Sequence, residues 1–175
     1  MVLTAAAIAC LAGLTLPLSL PLGPMYWDLV VYLDGGSRVL SGQVPAVDFF
    51  APVGPLEYWL FAAGQFLFAN AQPLLLAQWM LMAVTVPPMF LVLSGLENRS
   101  RALAFALLLP FLLFQIAPIN VEQYSTFPGS DGYGIYNRHV TEVLYVLTAA
   151  LVFERRQRRL LFVIAWCCTT LFFLK

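Results

Sequence analysis

The chain has 175 residues, of which 61% are hydrophobic and only 10% charged, with a mean hydropathy of +0.84. A water-soluble core of this length cannot enclose so much apolar side chain, so an integral membrane protein is expected. Nine basic and nine acidic residues cancel, which removes the positive field a nucleic acid would need and leaves the placement of charge as the informative quantity.

In chain order, Val2–Gly23 is apolar and uncharged. It lacks the basic start and the small-x-small cleavage pattern of a secretory signal, so it is predicted as a retained first span. The segment Met25–Trp59, MYWDLVVYLDGGSRVLSGQVPAVDFFAPVGPLEYW, is aromatic and acidic. Carboxylates beside a bilayer are costly unless hydrated, paired or used, which makes this segment the best candidate for chemistry. Within it Leu29, Tyr32, Leu33, Gly36 and Leu40 follow a helical stripe, with Asp34 and Arg38 four apart on the other face, the pattern of an interfacial helix. Tyr26, Trp27, Tyr58 and Trp59 flank it as interface anchors would.

Further apolar stretches run over Pro55–Ala69, Pro73–Leu96, Ala102–Pro118, Val140–Phe153 and Leu160–Leu174. Pro55–Ala69 is only about 15 residues, against roughly 20 for a span, and contains Glu57, Gly64 and Gln65; a juxtamembrane helix is predicted there. The short runs Glu97–Arg101 and Glu154–Arg159 hold six of the nine basic residues and are expected to stay cytoplasmic, whereas Arg38 stands alone against Asp28, Asp34, Asp48 and Glu57. The reading is an all-α polytopic integral membrane protein. It is a single transmembrane domain over 1–175, with about five transmembrane helices plus two juxtamembrane amphipathic helices. Its first outer loop is 24–72, its second is 119–139, and the N-terminus is cytoplasmic. Pro87, Pro88 and Pro110 are expected to kink their helices. Asn98-Arg99-Ser100 is a formal sequon placed on the wrong side for glycosylation. The last stretch is about 15 apolar residues, short of a full span, so the chain reads as the N-terminal part of a longer protein or as frayed at its end.

Cys10, Cys167 and Cys168 lie in apolar runs and are read as inert buried thiols. One His and three such Cys make no zinc or haem ligand set, and Gly35-Gly36-Ser37-Arg38 is not a phosphate-binding loop. Asp131 reads as a turn residue, and Glu122 shares its glycine-rich, aromatic loop. Glu57 opens a helix, where the dipole favours a negative charge. Asp48 lies between Pro45 and the Pro52–Pro55 turn, placed either to close a turn or to bind a donor sugar, an acceptor or a divalent cation. Asp28 stands before Leu29 as an N-cap would. Arg138, with His139 beside it, is either an interfacial anchor or a forked phosphate contact.

Asp28-x-x-x-Tyr32, Gly42-x-x-Pro45-x-x-Asp48-Phe49 and Pro52-x-Gly54-Pro55-Leu56-x-Tyr58, followed by Tyr136-Asn137-Arg138 and Phe173-Leu174-Lys175, resemble the C-type membrane glycosyltransferases (GT-C). The likeness is to the protein O-mannosyltransferase and aminoarabinose-transferase-like group, and to its bacterial members. Asp28 is followed by Leu29, so the acidic pair usual in that group is incomplete here. The resemblance implies a hexosyltransferase-type enzyme of the bacterial inner membrane and cell envelope that takes a polyprenyl-phosphate-linked sugar as donor. Membrane lipids and a missing C-terminal part of the same protein would be its partners. It makes Asp28 the catalytic base, with Asp48, Glu57, Tyr136, Arg138 and Lys175 as substrate contacts. Transfer from a lipid phosphate requires a carboxylate to take the acceptor's proton and cations to stabilise the leaving phosphate. The competing readings are a non-catalytic scaffold or remnant, and a lipid or solute transporter component; against the latter, the apolar stretches carry almost no ionisable residue.

Overall fold

The computed structural model describes residues 2–23, 25–97, 99–117, 119–120, 129–130, 132 and 134–175, with 119–120 and 129–130 described by backbone alone. Asn98 of the sequon, Glu122 and Asp131 lie outside the described residues. Helices occur at α1 (Val2–Leu14), α2 (Trp27–Leu40), α3 (Pro55–Leu67), α4 (Pro73–Met80), α5 (Met82–Glu97), α6 (Arg101–Ile116), α7 (Ile135–Phe153) and α8 (Gln157–Leu174). Among the described residues a two-residue antiparallel pair, β1 (Ile119–Asn120) with β2 (Gly129–Ser130), registered Ile119 to Ser130, stands beside the helices.

Cross-helix hydrogen bonds fix the directions of the long helices. Trp166 donates to the Val84 carbonyl (2.8 Å) and Arg159 to Ser94 Oγ (3.2 Å), so α5 and α8 run antiparallel. Tyr145 donates to the Leu107 carbonyl (2.8 Å), and Gln78 reaches both the Phe114 carbonyl (2.9 Å) and Glu142 (2.7 Å), which sets α6 against α7. One end of the bundle gathers the turns between α5 and α6 and between α7 and α8, where Arg99 donates to the Phe153 carbonyl (3.2 Å) and Glu154 accepts from the Arg156 amide (2.7 Å). The other end carries α2, α3, the start of α7 and the finish of α8. The six arginines of the two basic turns therefore lie at the opposite end from the acidic loop.

Helix boundaries follow local chemistry. Gln72 and Ser100 cap α4 and α6 by accepting from the amides of Leu75 (2.8 Å) and Leu103 (3.2 Å), and Pro occupies the first position of α3 and α4. The first span differs from expectation: α1 stops at Leu14, and Thr15–Gly23 is not helical. Pro17 and Pro21 lack the N–H that a continuing helix needs and clash with the preceding turn. Pro73–Leu96 is likewise two helices, joined at Leu81. Pro88 cannot bond to Val84, and the carbonyl so freed is the one that Trp166 satisfies. Tyr136 and Arg138, expected ahead of a span, are inside the first turns of α7.

Among the described residues two helices are long and apolar enough to cross a membrane, Pro73–Glu97 (α4 and α5 together) and Gln157–Leu174. The latter has 18 residues, more than the apolar stretch alone suggests. Helix α1, at 13 residues, reaches about 20 Å against a hydrocarbon core of roughly 30 Å. Helix α6 is also shorter than a full span, and α7 carries Arg138, His139 and Glu142 in its first half.

Candidate functional site

Helices α2 and α3 pack against each other through Gly35 and Gly36. A Cβ on Gly35 would run into the Tyr58 ring, and one on Gly36 would meet Gln65 Oε1 and the Phe61 ring. Leu29, Tyr32, Gly35 and Gly36 form the buried face of α2, whereas Leu33 and Leu40, expected on it, are exposed. The two glycines shift the contact face because they admit the closer approach. Asp34 and Arg38 pair on the outer face at 2.8 Å, as the spacing predicts, and Arg38 also lies over the Phe49 ring at 5.4 Å.

The close approach places Glu57 in the interior. Its Oε2 lies 2.8 Å from His139 Nδ1, and each residue is 1% exposed. With the carboxylate as acceptor, Nδ1 carries the proton, which turns Nε2 to the far side of the ring, where it has no hydrogen-bond partner among the described residues. Tyr32 packs edge-on to His139, with ring centroids 6.4 Å apart, and between two negative charges. Burial, the neighbouring Glu57 and then Asp28 push its hydroxyl well above the usual tyrosine range. Burial likewise pushes Tyr58 up to about 12. Both phenols are therefore neutral groups capable of donating a hydrogen bond across the physiological range.

Asp28 is not the N-cap of its own helix; that position belongs to Tyr26, which makes no side-chain cap. The Asp28 carboxylate instead accepts from the amides of Gly134 (2.6 Å) and Ile135 (3.3 Å), capping α7 from the start of α2. Leu29 N donates to the Gly132 carbonyl (3.3 Å), so the Asp28–Leu29 pair grips the second loop by both a donor and an acceptor. Asp48 is exposed and closes its own loop, accepting from the Val44 amide at 2.7 Å. No contact joins it to Asp28, Glu57 or Arg138 among the described residues.

Lys175 Nζ lies over the Tyr136 ring, 5.6 Å from its centroid. The end of α8 is held there by Gly54, whose amide donates to the Leu174 carbonyl (3.0 Å) and whose missing Cβ leaves room for that backbone. One end of the molecule thus collects Asp28, Glu57, Tyr136, Arg138, His139 and Lys175 from four helices. Asp48 stands apart from the cluster. Among the described residues no three of His, Cys, Asp and Glu come together in a way that could hold a metal ion, and the divalent cation is assigned to none of them.

Two features exceed the sequence reading. His139 is a buried partner of Glu57 rather than an accessory to Arg138. Glu142, one turn further along α7, is 3% exposed and accepts from Gln78, inside a buried network in which Gln115 bonds to Thr85 (2.6 Å) and to the Gln78 carbonyl (3.2 Å). The signal was present: Ile135, His139, Glu142, Val143, Val146 and Ala150 follow one helical stripe, which predicts that both ionisable residues face inward. Of the cysteines, Cys10 and Cys167 are buried as expected, and Cys168 is exposed on α8.

The class these features define is an apolar helical protein with a polar cluster at one end and arginine-rich turns at the other. No family model, no curated protein and no solved structure matches the chain.

Proposed function

We propose that this chain is a membrane glycosyltransferase, or part of one, that moves a sugar from a polyprenyl-phosphate donor to an acceptor at the outer face of a bacterial inner membrane. The observation that carries this reading is the joining of the two outer loops by Asp28, which sets a carboxylate at the same end as Arg138 and Lys175. In this arrangement α4 with α5, and α8, cross the bilayer, α1, α6 and α7 pack beside them within it, and α2 and α3 lie at its outer boundary. The basic turns face the cytoplasm, in keeping with the positive-inside tendency. Thr15–Gly23, with its backbone outside any helix, belongs at the polar headgroup level, since hydrocarbon offers its amides no partner.

In the proposed reaction the acceptor hydroxyl attacks the anomeric carbon, the bond from that carbon to the phosphate oxygen breaks with its electron pair, and configuration inverts. Asp28 takes the hydroxyl proton, and Arg138 and Lys175 hold the departing phosphate. Tyr136, beneath the Lys175 ammonium, holds that cation in place. Glu57 and His139 brace α3 against α7, so that Asp28 and Arg138 keep their spacing. An isoprenoid tail stays in the bilayer throughout. The test is transfer of radiolabelled sugar from a polyprenyl-phosphate donor in membranes expressing the chain. Asp28→Asn retains a hydrogen-bond acceptor for the α7 amides but loses the base, and its transfer falls about 100-fold or more. Undiminished transfer by Asp28→Asn overturns the base; no transfer by the folded wild-type chain overturns the reading of it as a transferase active by itself.

A second reading, a transport component, is favoured by one observation, the buried Glu142 within the bundle. It predicts that Glu142→Gln abolishes solute or proton movement across proteoliposomes and leaves sugar transfer untouched.

A further inference from the structure

At the arginine-rich end, far from the Asp28 cluster, a groove of about 830 Å³ opens between the start of α1, the end of α5 and the start of α6. That volume lies within the roughly 300–1,000 Å³ of small-molecule sites. Its walls are aliphatic and aromatic, with Ile8, Phe90 and Phe105 exposed along it, and its polar groups lie together at the rim. Arg101 is there and makes no ion pair among the described residues. Ser94, also on the rim, ties in the Arg159 guanidinium at 3.2 Å, and Arg99 sits in the adjoining turn. Glu97 is on the rim and Glu154 lies behind it against Gly95, so Arg99, Arg101 and Arg159 face two acids.

We infer that this groove binds an anionic glycerophospholipid of the surrounding bilayer, one acyl chain lying along α1, α5 and α6 and the phosphate resting on Arg101. The inference rests on the membrane-spanning reading given above. A long apolar slot with a guanidinium that makes no ion pair among the described residues, set at the headgroup level, is complementary to a molecule that is apolar along its length and negative at one end. A zwitterionic lipid supplies the same chain without the net charge. A free phosphate supplies the charge without the chain. The groove therefore selects for the two features joined.

The test uses the full chain reconstituted in phosphatidylcholine vesicles doped with phosphatidylglycerol, extracted gently, and weighed intact by native mass spectrometry to count retained lipids. Wild type retains phosphatidylglycerol in about fivefold preference over phosphatidylcholine, and Arg101→Gln brings the two to parity, the effect expected of one cation at an anionic surface. Ala5→Phe, an exposed groove position whose larger ring fills the slot without disturbing the core, lowers retention of both lipids. Equal retention by wild type, or an unchanged preference in Arg101→Gln, overturns the groove assignment. Alkaline carbonate extraction of the same vesicles separates the two failures. A chain that stays in the bilayer without lipid preference sinks the groove alone, and a chain washed off the vesicles sinks the spanning reading along with it.

Discussion

Glu57 and His139 stand 82 residues apart in sequence and 2.8 Å apart in the fold, with 1% exposure each. Removing one member leaves the other buried without its partner. Glu57→Leu and His139→Leu should each lower unfolding stability in detergent by about 3–5 kcal/mol, whereas the double variant combining them should lose much less than the sum. Single variants as stable as wild type would show that the pair is not held in the interior. This contact was not legible in the sequence, because no local periodicity links two helices across two loops. The helix dipole at the start of α3 gives Glu57 a sufficient reason to be where it is without any partner. The burial of His139 was legible, from its place in the stripe that Val143, Val146 and Ala150 continue. Asp28 was legible as a cap; which helix it caps was not, since a cap is recognised by its own chain neighbours and this one reaches amides of Gly134 and Ile135. Asp28→Ala, unlike Asp28→Asn, should therefore also cost about 1 kcal/mol of stability.

At the scale of elements, the amphipathic stripe at Leu29–Leu40 and the stretch too short to span at Pro55–Ala69 each predict a helix, and helices α2 and α3 are present there. Their mutual contact depends on Gly35 and Gly36, which sequence reading treats as turn or breaker signals inside a helix. Gly35→Leu should force the Tyr58 ring away and destabilise the pair by about 1–3 kcal/mol, seen as a lower midpoint of thermal unfolding. An unchanged midpoint would mean that α2 is not seated on α3. The boundaries missed by sequence are those set by proline. Apolar composition runs unbroken from Val2 to Gly23, yet Pro17 and Pro21 end the hydrogen-bond ladder, so hydropathy alone overestimated the first span by nine residues. In α5 the same residue type is accommodated, because Trp166 supplies the bond that Pro88 cannot. Trp166→Phe leaves the Val84 carbonyl without that donor and should cost about 1–3 kcal/mol, measured by the same unfolding transition.

Over the whole molecule, charge and helix direction agree. The acidic loop Met25–Pro55 and the basic turns Glu97–Arg101 and Glu154–Arg159 fall at opposite ends of the bundle, and every proposed role depends on that separation. Arginine bias along the chain made the two ends legible. The placement of Asp28, Arg138 and Lys175 at one end required the fold, since the position of Lys175 depends on the turn at Gly54 receiving the last residues of α8. The direct test is labelling with a membrane-impermeant maleimide in sealed, right-side-out vesicles, in a chain with Cys10, Cys167 and Cys168 replaced by alanine. Two exposed reporter sites are used, Ser37→Cys on α2 and Gln157→Cys at the start of α8. Position 37 should label from outside and position 157 only after the vesicles are opened. Labelling of both from outside, or the reverse order, would contradict this topology.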